Sequence, residues 1–183
     1  MLITEPYREL NRQLHAARVD YGAFSAKWAK QIIELVQMIG AKTILDYGCG
    51  KGGLGRALSH LVVINYDPAV GGLERMPDPA DLVVCTDVLE HIEPECLEGV
   101  LDDLLRCTIR GIFLTIATRP AAKVLADGRN AHLIQQSLNW WLPKVMDRWS
   151  LRLLQATEGE FAVFAVRPIN VNPHPGNGNG SAL

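Results

Sequence analysis

Asp46 and the glycines behind it carry the densest chemical signal in the chain. An apolar run from Thr43 ends in Asp46, and Gly48, Gly50 and Gly52 follow at alternate positions before a helical pattern starts. That order reads as a strand, a tight turn and a helix start, with no Cβ atoms where backbone approaches a ligand. Gly48, Gly50 and Gly53 also satisfy a dinucleotide-binding pattern, but a carboxylate two residues upstream repels a pyrophosphate. An acidic strand end suits a cationic ligand instead. Some twenty residues on, Asp67-Pro68 closes a second apolar run, where a carboxylate accepts hydrogen bonds from ribose hydroxyls. Asp87, Glu90 and His91 then stand at i, i+3 and i+4, one side of a helical turn. With His132 they make an oxygen and nitrogen donor set for Mg²⁺, Mn²⁺ or Fe²⁺. The same histidines are candidate general bases, because a neutral imidazole takes a proton near pH 7. Capping and packing at the start of the next helix is the simpler role for Glu90 and His91.

The glycine loop resembles the cofactor loop of class I S-adenosylmethionine-dependent methyltransferases. The stretch from Cys85 through Thr86 and Asp87 to His91 resembles the post-strand motif of members with small-molecule substrates. It does not resemble the motifs that hold an exocyclic base nitrogen or attack cytosine C5. The resemblance implies that Asp46, Gly48, Cys49, Gly50, Gly52, Asp67, Pro68, Thr86 and Asp87 bind S-adenosylmethionine. It implies that Asp46 faces the α-ammonium and that His132 or His91 serves the acceptor. Metal-dependent methyltransferases acting on RNA 3′ ends or quinone precursors carry a similar acid-x-x-Glu-His pattern. From Tyr7 and Tyr21-Gly22 to the stretch Asp127–Ile134, the chain also looks like uncharacterised methyltransferase-like proteins of bacteria and phages.

The supporting elements follow the same logic. Residues 5–18 are helical in composition, and Ser25 is placed to cap a second helix that Gly40 closes. Strands are expected at 43–47, 61–66, 82–86 and 111–117, with a helix over 53–60 and another opened by Pro94. The segment 120–147 is expected to hold one helix ahead of Trp140 and one after it. Runs 149–156 and 161–167 read as an antiparallel hairpin. Alternating strands and helices give an α/β, Rossmann-like sandwich with a mostly parallel sheet and a terminal hairpin. About fourteen residues separate Asp67 from Leu82, too few for the helix–strand–helix unit that the family normally carries there. The third strand is therefore expected to be missing or vestigial, along with the adenine contacts that depend on it.

The chain has 183 residues, 48% of them hydrophobic, and a formal charge of −2. That suits one domain over 1–169 (N-terminal helices 1–40, core 41–169) with a disordered Asn/Gly/Pro-rich tail at 170–183. The charge gives no overall attraction to nucleic acid or to an anionic membrane. It is unevenly spread: eleven acids lie between Asp67 and Asp103, and eight bases between Arg106 and Arg152. Four cysteines without metal-ligand spacing, no signal peptide and no membrane-length apolar run read as a reduced, cytoplasmic protein. The function expected is methyl transfer to an O or N nucleophile of a small or nucleotide-like acceptor. Alternatives are a divalent-metal-dependent O-methyltransferase acting on RNA or a diol, and a non-catalytic S-adenosylmethionine-binding protein.

Overall fold

Sequence runs apolar on both faces must be covered on both faces, and the strands at the middle of this chain meet that condition. In the computed structural model, which describes residues 1–17 and 23–168, six strands form one sheet. They are β1 (Thr43–Tyr47), β2 (Val62–Tyr66), β3 (Ala80–Thr86), β4 (Thr108–Ala117), β5 (Ser150–Thr157) and β6 (Glu160–Val166). The order is β2-β1-β3-β4-β6-β5. The first four are parallel, and β6 runs antiparallel to both β4 and β5.

The helices are α1 (Glu5–Ala17), α2 (Ala29–Ile39), α3 (Gly53–Ala57), α4 (Leu97–Cys107) and α5 (Leu138–Met146). Strand periodicity sorts the core into two layers. Leu45, Val83, Cys85, Ile112 and Leu114 point to α4 and α5, where Leu101, Leu104, Trp141 and Trp149 are buried. Ile44, Leu82, Val84 and Phe113 point the other way, onto Ile32 and Leu35 of α2 and Leu54 of α3. Each fully buried side chain of this size contributes about 1.5–3 kcal/mol relative to exposure. A small third cluster of Tyr7, Leu125 and Ala131 joins α1 to the loop after β4.

The terminal hairpin forms as expected, turning at Gly159. The third family strand is absent: no strand lies between Tyr66 and Ala80. Turn hydrogen bonds between Asp67, Val70 and Leu73 hold that stretch instead. This leaves β2 at the sheet edge, with Val62 60% exposed.

Three local expectations are corrected. Ser25 is not the N-cap of α2: it lies inside a 3₁₀ turn, Ala23–Trp28, and Trp28 occupies the N-cap position without a side-chain cap bond. The helix after the glycine loop stops at Ala57, and Leu58 leads into a turn closed by Leu61. No helix lies between β4 and α5. Residues 118–137 form a loop in which the Asn130 side chain both accepts from Ala121 N–H and donates to Ala121 C=O. Pro120 and Gly128, at φ +87°, break helical continuity there, and Trp140 sits within α5. No described helix is long and apolar enough to cross a membrane. Tyr21-Gly22 and the tail expected to be disordered lie outside the described residues.

Candidate functional site

At the end of β1 the chain turns sharply. The N–H groups of Gly48 and Cys49 both donate to Tyr66 C=O at the end of β2 (2.8 and 3.0 Å). Gly48 has φ +76°, and a Cβ there would lie 2.5 Å from Val88 Cγ2. Only glycine allows the segment after β3 to close on the loop. Gly50 N–H donates to Asp67 Oδ2, and Ala69 N–H to Asp67 Oδ1, each at 2.9 Å. Asp67 thus holds the loop, and each oxygen keeps a further lone pair for a ligand donor.

Asp46 is 1% exposed, and its Oδ2 is buried without a hydrogen-bond partner. Burial, then the charge of Asp67, pushes its carboxyl up to about 7. A lone buried acceptor costs free energy until a donor meets it. A cationic ammonium is the group that would satisfy it, so the cradle fits S-adenosylmethionine. Burial also raises the Cys49 thiol, followed by the charges of Asp46 and Asp67. Cys49 therefore remains a thiol.

At the end of β3, Asp87 N–H donates to both Thr115 C=O (3.1 Å) and Thr115 Oγ1 (3.2 Å). Asp87 takes φ +59°, a left-handed conformation that Asp tolerates better than most residues. A 3₁₀ turn, Leu89–His91, follows. His91 Nδ1 lies 2.7 Å from Ala131 C=O, and His132 Nδ1 lies 2.6 Å from Arg119 C=O. A carbonyl only accepts, so Nδ1 carries the hydrogen in both rings, and the neutral ring presents its lone pair at Nε2. The rings meet edge to face, centroids 4.7 Å apart. Burial drives His91 down to about 4, against the pull of Asp87. Tyr7 Oη–H donates to His91 C=O at 2.6 Å, and Asn130 Oδ1 accepts His132 N–H at 2.9 Å, so both histidines sit on braced backbone.

Asp87, His91 and His132 bring one ligand atom each within 4.8 Å of one another. Glu90, expected with them, is not one of the three, although its carboxyl neighbours Asp87. It is fully buried, and its Oε1 accepts Ala117 N–H at 2.7 Å at the end of β4. Its carboxyl is raised well above the usual range by burial and then by Asp87. The spacing i, i+3, i+4 gathers three side chains on one side only along an α-turn. The left-handed Asp87 and the 3₁₀ turn rotate Glu90 inward instead.

A cavity of about 480 Å³ joins these parts, a size suited to a small ligand. Gly48, Cys49, Gly50, Thr86 and Asp87 line it together with His91 and His132. Asp46, Gly52, Asp67, Pro68 and Glu90 are not among its lining residues. Another part of the wall consists of Ser25, Lys27 and Trp28 with Arg119–Lys123 and Glu160. Sequence reading missed that wall, because these residues converge from three distant segments and share no spacing. The only hint was the location of 127–132 after the fourth strand, where loops on a rigid sheet carry function.

Residues 20–158 match the family model described as a methyltransferase domain. Solved structures share the fold. The magnesium protoporphyrin IX methyltransferase of Synechocystis PCC 6803 with bound SAH is 17% identical, with a TM-score of 0.57, covering 79% of this chain and 83% of that one. The DhpI–SAH complex is 16% identical at TM-score 0.61, covering 90% and 98%. The PH0226 protein of Pyrococcus horikoshii OT3 is 11% identical at TM-score 0.57, covering 79% and 91%. Comparison with curated proteins returns no significant match. The carboxylate-flanked glycine turn, the sheet order and the family match over most of the chain lead to one assignment: this protein belongs to the methyltransferase-domain family, with the class I S-adenosylmethionine-dependent fold.

Proposed function

We propose that the protein transfers a methyl group to a hydroxyl or amine of a small or medium acceptor bound beside His91 and His132. Residues 1–169 act as one domain in this reading. The observation that carries it is the pair of braced imidazoles, each with Nδ1 committed to a carbonyl, inside the cavity that opens from the glycine loop. S-adenosylmethionine supplies a methyl on a sulfonium that is already a good leaving group. Asp46 would take the ammonium and Asp67 the ribose, while Gly48, Cys49, Gly50, Gly52, Pro68, Thr86 and Asp87 shape the remaining contact surface. What the chain adds is alignment and exclusion of water. For a hydroxyl acceptor, Nε2 of His132 or His91 accepts the proton as the O–CH₃ bond forms, and later releases it to solvent. An amine needs only alignment. Four buried thiols without a disulfide support a reducing, cytoplasmic setting.

The test is calorimetric titration with S-adenosylmethionine, then an assay for S-adenosylhomocysteine with cell extract as acceptor. Saturable binding and turnover are expected, with turnover reduced about 10²–10⁴-fold in His132→Ala or His91→Ala. Binding without turnover would leave a cofactor-binding protein and no enzyme.

A second reading rests on the same trio. Asp87, His91 and His132 form a carboxylate and two-imidazole set, and an imidazole bonded through Nδ1–H to a carbonyl is the usual support for an Nε2 ligand. Such a site favours Fe²⁺ or Mn²⁺ over Mg²⁺ and would bind a diol acceptor. Activity that survives exhaustive chelation rules it out.

A further inference from the structure

We propose that Arg119 anchors an anionic group of the acceptor, a carboxylate or a phosphate, and so selects negatively charged acceptors for the reaction proposed above, on which this inference rests. Arg119 lines the same cavity as the glycine loop. One N–H donates to Gly159 C=O at 3.0 Å. Its stem fills the space that a Cβ on Gly159 would need: Arg119 Cδ lies 2.9 Å, and Cβ and Cγ 3.3 Å, from that point. The side chain is exposed, but its stem is seated against the β5–β6 turn.

A guanidinium has five N–H donors, so four remain. No carboxylate among the described residues pairs with it. The acids nearest in kind are committed elsewhere: Glu160 takes Lys27 at 3.2 Å, and Asp87 faces the two histidines. An arginine held by its stem and one N–H, with four donors left, is arranged for bidentate recognition of a planar or tetrahedral oxyanion.

The surrounding charge agrees. Lys27, Arg119 and Lys123 line the cavity against two acids, Asp87 and Glu160. A cationic cofactor adds a further positive charge, so an anion is the acceptor type that this chamber attracts. Arg119 also bears on the reacting position through its backbone, since its carbonyl holds His132 Nδ1. An acceptor gripped by the guanidinium is registered against the imidazole that the same residue orients. The anchored anion is a handle on the acceptor and is not the group methylated.

The experiment uses the full chain with S-adenosylhomocysteine added. It is titrated separately with sodium benzoate and with inorganic phosphate at constant ionic strength, while the ¹⁵N–¹H signal of Arg119 Nε is followed by NMR. At least one anion is expected to shift this signal saturably beyond a sodium chloride control. Benzoate alone identifies a carboxylate handle, and phosphate alone a phosphoryl one. Arg119→Met keeps the stem and the backbone carbonyl. It is expected to weaken that anion at least tenfold with unchanged S-adenosylhomocysteine affinity, and Arg119→Lys is expected to restore part of the loss. Neither anion shifting the Arg119 signal, or Arg119→Met binding both as wild type does, overturns the proposal. Because this readout needs no turnover, it separates from the reaction itself. Anion binding without methyl transfer would count against the catalytic reading alone, and turnover without anion binding against Arg119 alone.

Discussion

Replacing Asp46 with Asn tests whether the buried carboxylate is held in tension for a ligand. The Asp46 carboxyl is 1% exposed and is pushed from 3.8 up to about 7 by burial and then by Asp67. In the unfolded chain it returns to about 3.9. Between these values the folded protein holds a proton that the unfolded chain has released. Stability therefore falls as pH rises from about 4 to about 7, and levels off above. At about 1.4 kcal/mol per pH unit, the loss is roughly 2 kcal/mol between pH 5 and pH 7. Asp46→Asn removes this slope. Urea unfolding of both proteins without cofactor, at pH 5, 6 and 7, measures it. The variant should gain roughly 2 kcal/mol relative to wild type across that range. The same substitution should weaken S-adenosylhomocysteine binding, and should abolish the tightening that wild type shows as pH rises toward 7 and the carboxylate ionises. Parallel stability profiles for the two proteins would refute the argument, because Asp46 would then be ionised in the empty fold and already compensated.

Two further substitutions probe the scaffold. Gly48→Ala should cost about 2–5 kcal/mol in urea unfolding, summing a left-handed Cβ penalty and overpacking against Val88. Adding Val88→Ala should recover the packing part, and a neutral Gly48→Ala would remove the close approach from the account. Glu90→Gln should change stability at pH 7 by less than about 1 kcal/mol, because the amide oxygen can still accept Ala117 N–H. Glu90→Ala should cost about 2–3 kcal/mol or more by stranding that donor over a cavity. Equal effects of the two would show that the hydrogen bond to Ala117 is not what holds Glu90.

The parallel core, the glycine turn, the terminal hairpin and the missing third strand were all legible in the sequence. Each is a local consequence of period, glycine placement or chain length. Apolar runs of strand length state their own burial, and fourteen residues cannot span a helix–strand–helix unit whatever surrounds them. The helix expected ahead of Trp140 failed for a different reason. The side chain of Asn130 competes for the backbone of Ala121, nine residues away, and helical periodicity contains no term for such a clamp.

At the site, sequence alone singled out candidates, and Asp46, Asp67, Asp87, His91 and His132 are all beside the glycine loop or the cavity it opens. Tertiary structure decided what each can do. It set Glu90 apart from the trio through one left-handed residue, and it assigned the hydrogen of both imidazoles through carbonyls at Ala131 and Arg119. It also brought Lys27, Arg119 and Glu160 to one wall. Residue type and spacing fix donor atoms along a chain. Orientation, protonation and the company a side chain keeps are set by groups distant in sequence, and appear only when the sheet brings them together.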